Sequence, residues 1–147
     1  MSGQVNYLVE APELGQEYFY LHIRQTLLYS LFKWEGKDFE KRWLALHRVY
    51  PTKEDVVRAA EFVKDFYKSH KEQLNYLTSE PEPGAKVWFS MNMDGSPLDS
   101  VSTNFDYKDT FHQRLLKNFQ LYGTREDLIK DIDLITKALE EEYKKAH

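Results

Sequence analysis

The stretch WFSMNMDGSPLDSVSTNFDY, residues 88–107, decides how the second half of the chain is read. Val87, Phe89, Met91 and Met93 alternate with Trp88, Ser90, Asn92 and Asp94. Successive side chains of a strand point to opposite sides, so an apolar period of two marks a half-buried strand. Asp94-Gly95-Ser96-Pro97 is turn chemistry: glycine accepts positive φ and proline holds φ fixed. Val101, Thr103, Phe105 and Tyr107 then alternate with Ser100, Ser102, Asn104 and Asp106. Residues 86–107 therefore read as an antiparallel hairpin with one apolar and one polar face.

Four acids lie in or just after this stretch: Asp94, Asp99, Asp106 and Asp109. They do not make a calcium loop. Such a loop needs glycine at its sixth position and glutamate at its twelfth. Counted from Asn92, Gly95 is fourth and Thr103 occupies the twelfth place. Asp99 and Asp106 are an odd number of residues apart, so on a regular strand they face opposite sides. The acids read first as turn and solvated-face residues, second as a binding rim, and last as a catalytic site. Trp88 falls on the polar face beside Lys86, where it is either an exposed contact residue or is packed under a loop or helix.

Asp109 and His112 stand one helical turn apart, close enough to hydrogen-bond or to share a metal. Two ligands are too few for a metal site without a third from elsewhere. His22, His47 and His70 are isolated in the sequence. There is no HExxH, no P-loop, no dinucleotide fingerprint and no GxSxG elbow. The chain has no cysteine, which excludes disulfides, thiolate metal sites and a cysteine nucleophile. No metal and no cofactor is expected.

Outward from the hairpin, Phe111, Leu115, Phe119 and Tyr122 form a helical stripe, with Gly123 in the place of a C′ glycine. Thr124-Arg-Glu-Asp127 resembles a capping box with Asp for the usual Glu. Leu128, Ile132, Ile135, Leu139 and Tyr143 make one apolar seam to residue 146. Earlier, Thr52-Lys-Glu-Asp55 repeats the box, and Val56, Ala60, Val63 and Tyr67 predict a helix over about 52–76. TSEPEPGAK, residues 78–86, is a loop, because two prolines and a glycine preclude regular structure there. Residues 38–50 fit either helix or strand and are read as helix, with Asp38 as its cap. Leu21, Leu28, Leu31 and Phe32, widened by Phe19, Ile23 and Leu27, predict a helix over 17–34. Residues 4–9 read as a short strand or an extended arm.

The 147 residues suit one α+β domain spanning 1–147, with four to five helices packed on a small antiparallel sheet containing the 86–107 hairpin. A formal charge of −4 gives no global attraction to nucleic acid or anionic lipid. Lys and Arg are dispersed, so no nucleic-acid partner is expected. No apolar run is long enough to span a membrane. The N-terminal MSGQVNYLVEAPE lacks the regions of a secretory signal, and a cytoplasmic location is expected.

Trp88, the Asp94-Gly95 hairpin, Phe105-Asp106-Tyr107-Lys108-Asp109, Gln113-Arg114 and the KNFQLYG run at 117–123, followed by an acidic helix, resemble the C-terminal half of the YezG-like family of bacterial immunity proteins. The resemblance covers about two-fifths of the chain. It implies a small cytosolic α+β protein that neutralises a cognate nuclease toxin by binding it, and it carries over no catalytic residue. The hairpin itself suggests the contact residues, Trp88 on the polar face and the acidic rim Asp94, Asp99, Asp106 and Asp109, on a monomer or weak homodimer. Two alternatives stand beside it. One is a small metal-dependent hydrolase centred on Asp109 and His112. The other is a homo-oligomeric accessory protein joined through helix 124–146.

Overall fold

A computed structural model describes residues 5–21, 29–90 and 100–147. Among these are five strands, β1 (Glu17–Leu21), β2 (Tyr29–Lys33), β3 (Val49–Tyr50), β4 (Lys86–Ser90) and β5 (Ser100–Asn104). Four helices join them: α1 (Asp38–Ala45), α2 (Lys53–Ser69), α3 (Thr110–Lys117) and α4 (Arg125–Ala146). The fold is α+β, with a three-stranded antiparallel sheet in the order β2-β1-β3 and a separate β4-β5 hairpin.

The helix expected over 17–34 is replaced by two strands, β1 and β2, paired from Glu17↔Lys33 to Leu21↔Tyr29. The reason lies in burial. Tyr18 and Tyr20 pack with Trp34, Trp43 and Val49 on one face of the sheet, and Leu21 joins the central core on the other. A strand buried on both faces shows no polar alternation, so its apolar run cannot be told from a helix by periodicity. His22, Ile23, Leu27 and Leu28 lie outside the described residues.

The 38–50 segment is helix only as far as Ala45, then turns into β3. Its cap is Lys37 rather than Asp38, and Glu40 reaches back to accept from the Lys37 backbone N–H at 3.0 Å. α2 ends at Ser69, short of 76, and Leu74 and Tyr76 are buried in an extended segment. Thr52 and Thr124 each accept the N–H of the residue three on, at 3.1 Å, as the pseudo-capping boxes predict. The seam Leu128, Ile132, Ile135 and Leu139 is buried with Val56, Ala59 and Val63 of α2. It is therefore engaged in the chain's own core.

The N-terminal residues form an arm. Leu8 N–H donates to Val49 O at 2.8 Å, and Val5 and Tyr7 are buried. Tyr7 is stacked between His47 and Tyr143, with ring centroids 4.1 and 4.3 Å away, and Tyr143 stacks in turn on His147. This column ties the arm to both α4 and the end of α1.

Both short helices end with a bulky residue in the left-handed region. His47 and Phe119 have φ 63°. The next residue's N–H reaches back five positions, Arg48 to Trp43 O and Gln120 to Leu115 O, at 2.9 Å each. This is the Schellman closure, and glycine is the usual occupant of its C′ position. The stop expected at Gly123 is thus made four residues earlier, by Phe119. Left-handed backbone costs a residue with a side chain about 1–2 kcal/mol. The Phe119 ring repays it by packing 4.6 Å from Tyr76 and 6.2 Å from Tyr67. Phe119→Gly relieves the backbone but deletes a part-buried ring worth about 2 kcal/mol. A net loss of about 1 kcal/mol is expected in urea unfolding, and a higher midpoint for the variant would show that backbone strain dominates.

Candidate functional site

Residues 86–90 and 100–104 form the expected hairpin, in the register Lys86↔Asn104 to Ser90↔Ser100. Val87 and Phe89 lie on its apolar face and pack with Phe105, Leu115 and Leu121. Met91, Met93, the 94–97 turn, and with them Asp94 and Asp99, lie outside the described residues.

Trp88 is on the other face, as expected, but that face is covered at this point. Its backbone N–H donates to Tyr122 O at 2.8 Å and its carbonyl accepts from Tyr122 N–H at 2.9 Å. The indole packs, half-buried, against the central core, with Lys86 Nζ 5.2 Å above its ring. Residue 122 thus acts as a third chain beside β4, and Trp88 bonds the hairpin to the start of α4.

Asp106 and Asp109 flank a loop that is closed by hydrogen bonds. Lys108 N–H donates to Asp106 Oδ1 at 2.9 Å, and Asp109 N–H to Asp106 O at 3.0 Å. Asp109 is the N-cap of α3, its Oδ1 accepting from Phe111 N–H at 2.8 Å and His112 N–H at 3.3 Å. Gln113 Nε2 donates to Tyr107 O at 2.9 Å. The loop presents Tyr107 to solvent, half exposed.

The structure brings Asp109 and His112 together, with His112 Nε2 3.8 Å from Asp109 Oδ2. His112 is buried, however, and its Nδ1 accepts the Asp106 backbone N–H at 3.0 Å. That bond places the proton of the neutral ring on Nε2, which faces the carboxylate. Nδ1 thus has its partner within the loop, and Nε2 lies beside the Asp109 carboxylate beyond hydrogen-bond distance. The histidine acts as a pin between the end of the hairpin and the first turn of α3. Among the described residues no group of three His, Cys, Asp or Glu is placed to hold a metal.

Two carboxylates unremarked in the sequence are buried instead. Glu40 is 2% exposed and accepts from Tyr18 Oη at 2.6 Å and from the Glu35 and Lys37 backbone N–H groups. Burial alone raises its carboxyl, but these bonds and the nearby Lys37 charge outweigh that and hold it below the usual range. Asp131 is fully buried and accepts from Asn75 N–H at 3.0 and 2.9 Å, from Asn75 Nδ2 at 3.0 Å, and from the Tyr122 hydroxyl. Here burial wins and the carboxyl is raised. Both groups join distant segments of the chain. The signal in the sequence was slight: an acid on the apolar side of an amphipathic helix, as Asp131 is beside Leu128, Ile132 and Ile135.

Neither a protein-family model, nor a curated protein, nor a solved structure matches the chain.

Two exposed surfaces stand out. One is a ledge on the β2 edge and α1. Phe32 is 42% exposed and Phe39 36%, and Leu31, 52% exposed, projects from the opposite face of the same edge strand. Phe32 and Phe39 lie 5.7 and 4.8 Å from the Trp43 ring, which is stacked on Tyr20 at 3.8 Å. The other is an open groove of about 670 Å³ along α3, beside Tyr107. No helix of the described residues is long and apolar enough to cross a membrane.

Proposed function

We propose that the protein is a non-enzymatic protein-binding module of the immunity type, which neutralises a cognate nuclease toxin by covering its cleft. The observation that supports binding is the ledge. β2 is an edge strand, with no described strand on its outer side, and it carries two exposed large apolar residues. Soluble proteins blunt such edges with charge, proline or a covering element. Here Phe32 and Phe39 form an apolar patch on one face of the edge and Leu31 stands on the other, so that a strand added there meets both. An extended segment of a partner adds to such an edge by main-chain hydrogen bonds, with side chains giving selectivity. The stacked Tyr20 and Trp43 beneath Phe32 and Phe39 form a rigid floor, which lowers the entropy cost of contact. The toxin as partner rests on the resemblance of the last 60 residues, 88–147, to the YezG-like family. In this reading Asp106 and Asp109, with the hairpin acids Asp94 and Asp99, steer a basic partner toward the protein.

The test is affinity capture from the source cell's lysate, followed by kinetics with the captured protein. Leu31→Lys/Phe32→Lys places cations on the edge and is expected to weaken binding by more than about tenfold, mostly through faster release. Asp106→Asn/Asp109→Asn removes two charges while keeping acceptors for the turn and the cap. It is expected to slow association severalfold at low salt and to leave release unchanged. A partner that binds the ledge variant at full strength sinks the assignment of the surface. A partner without a basic cleft sinks the toxin reading.

A further inference from the structure

We propose that the groove along α3 is a binding site for single-stranded nucleic acid, holding phosphates on Lys108, Arg114 and Lys117 and a base on Tyr107. This goes beyond the protein-binding reading and uses a face other than the ledge.

Thr110, Gln113, Arg114 and Lys117 recur at helical spacing on one face of α3, and Tyr107 and Lys108 close the groove at its upper end. Arg114, Lys117, Lys108 and Tyr107 are all exposed. Among the described residues, some cations elsewhere in the fold are paired and others, such as the exposed Lys64 and Lys68 of α2, are not. Arg58, Lys137, Lys144 and Lys145 each pair with an acid three or four residues away on their own helix. Lys108, Arg114 and Lys117 form no ion pair among the described residues. The two acids nearest in sequence are turned to backbone: Asp106 Oδ1 to Lys108 N–H and Asp109 Oδ1 to the first amides of α3. A protein of formal charge −4 thus carries one groove with three unpaired cations.

The helix dipole accounts for part of this arrangement, since Arg114 and Lys117 sit in the last turn of α3, where cations are favoured. It does not account for Lys108, which precedes the N-terminus, where the dipole disfavours a cation. Lys108 Nζ lies 5.7 Å from the centroid of the Tyr107 ring, so a charge and an aromatic face meet at one end of the groove. A basic track beside an exposed aromatic is the arrangement that holds single strands, with phosphates along the track and bases stacked without regard to sequence. The groove is open and follows the helix for about 10 Å from residue 110 to residue 117, which suits a strand passing through better than an enclosed small ligand. Thr110 and the free oxygen of the Gln113 amide offer hydrogen bonds to sugar or base.

The experiment is fluorescence anisotropy of a short labelled oligothymidylate titrated with the full chain. Binding is expected at low salt, weakening roughly fifteen- to twentyfold between 50 and 200 mM salt, since three phosphate contacts on a single strand give a log–log slope near −2. Tyr107→Ala is expected to weaken it at least about fivefold. Arg114→Glu/Lys117→Glu is expected to weaken it more than about tenfold, with its circular dichroism unchanged and its melting lowered only slightly, since both side chains are exposed but anions are disfavoured in the last turn of α3. The ledge variant Leu31→Lys/Phe32→Lys is expected to bind the oligonucleotide as the natural protein does, which keeps this test separate from that of the protein partner. No binding at low salt, or binding untouched by the double reversal, overturns the proposal. Equal affinity for free thymidine monophosphate overturns the strand as ligand, and equal displacement by a glutamate-rich peptide overturns nucleic acid as its class.

Discussion

Replacing Asp131 by alanine is expected to lower stability by about 3–5 kcal/mol, the range found when one partner of a buried charged network is removed. The carboxylate is fully buried and is the acceptor for the Asn75 amide, the Asn75 side chain and the Tyr122 hydroxyl. Its loss leaves these donors facing a void, and each orphaned buried group costs about 1–3 kcal/mol. A domain of this size is stable by about 5–15 kcal/mol, so the variant sits near its unfolding threshold at room temperature. The 74–76 segment should detach from α4 first, releasing Tyr76 from the core. Chemical denaturation measures the loss, and hydrogen exchange at the Asn75 amide locates it. A loss below about 1 kcal/mol would mean that water replaces the carboxylate.

Glu40→Ala is the second large effect, expected at about 2–4 kcal/mol for the same physical reason. It removes the acceptor for the fully buried Tyr18 hydroxyl and for two backbone amides that begin α1. Because α1 carries Phe39 and Trp43, the ledge should lose its floor, and partner affinity should fall even in molecules that stay folded. The two carboxylates also predict opposite pH behaviour. Glu40 lies below its ordinary range in the fold, so its contribution is fully present above the unfolded value of about 4.3 and fades as pH falls through the folded value. Asp131 lies above its ordinary range, so its contribution is fully present below the unfolded value of about 3.9 and is lost as pH rises through the folded value. The stability gap between the natural protein and Glu40→Gln should therefore shrink on acidification, while the gap to Asp131→Asn should widen. Urea midpoints measured across the acid range check both, and a common slope would contradict the assignment of one of them.

The pairing of Asp109 with His112 was visible in the sequence, since one helical turn separates them. What they do was not. The tautomer and the role of His112 follow from the Asp106 amide, which arrives at its Nδ1 from the end of the hairpin. Trp88 was placed on the correct face of its strand, but whether that face met water depended on Tyr122, thirty-four residues away in the chain. The basic residues looked dispersed along the chain, yet one face of α3 and the loop before it gather three of them around a single groove.

Local chemistry was enough for α2, α4, the β4-β5 hairpin and both threonine caps. Each depends on side chains within one or two turns of helix, or on a period of two beside a wet face. The three-stranded sheet escaped, because β1 is buried on both sides and its sequence EYFYL carries no alternation to read. So did the left-handed His47 and Phe119, whose backbone strain is held by rings from the N-terminal arm and from the 74–76 segment. Buried Glu40 and Asp131 escaped too, since an acid is placed inside a core only when distant donors are there to receive it. Periodicity and capping report what a segment does with its own neighbours. Strand pairing across long loops, buried charge and the choice of exposed surface are decided by contacts that exist only once the chain has closed on itself.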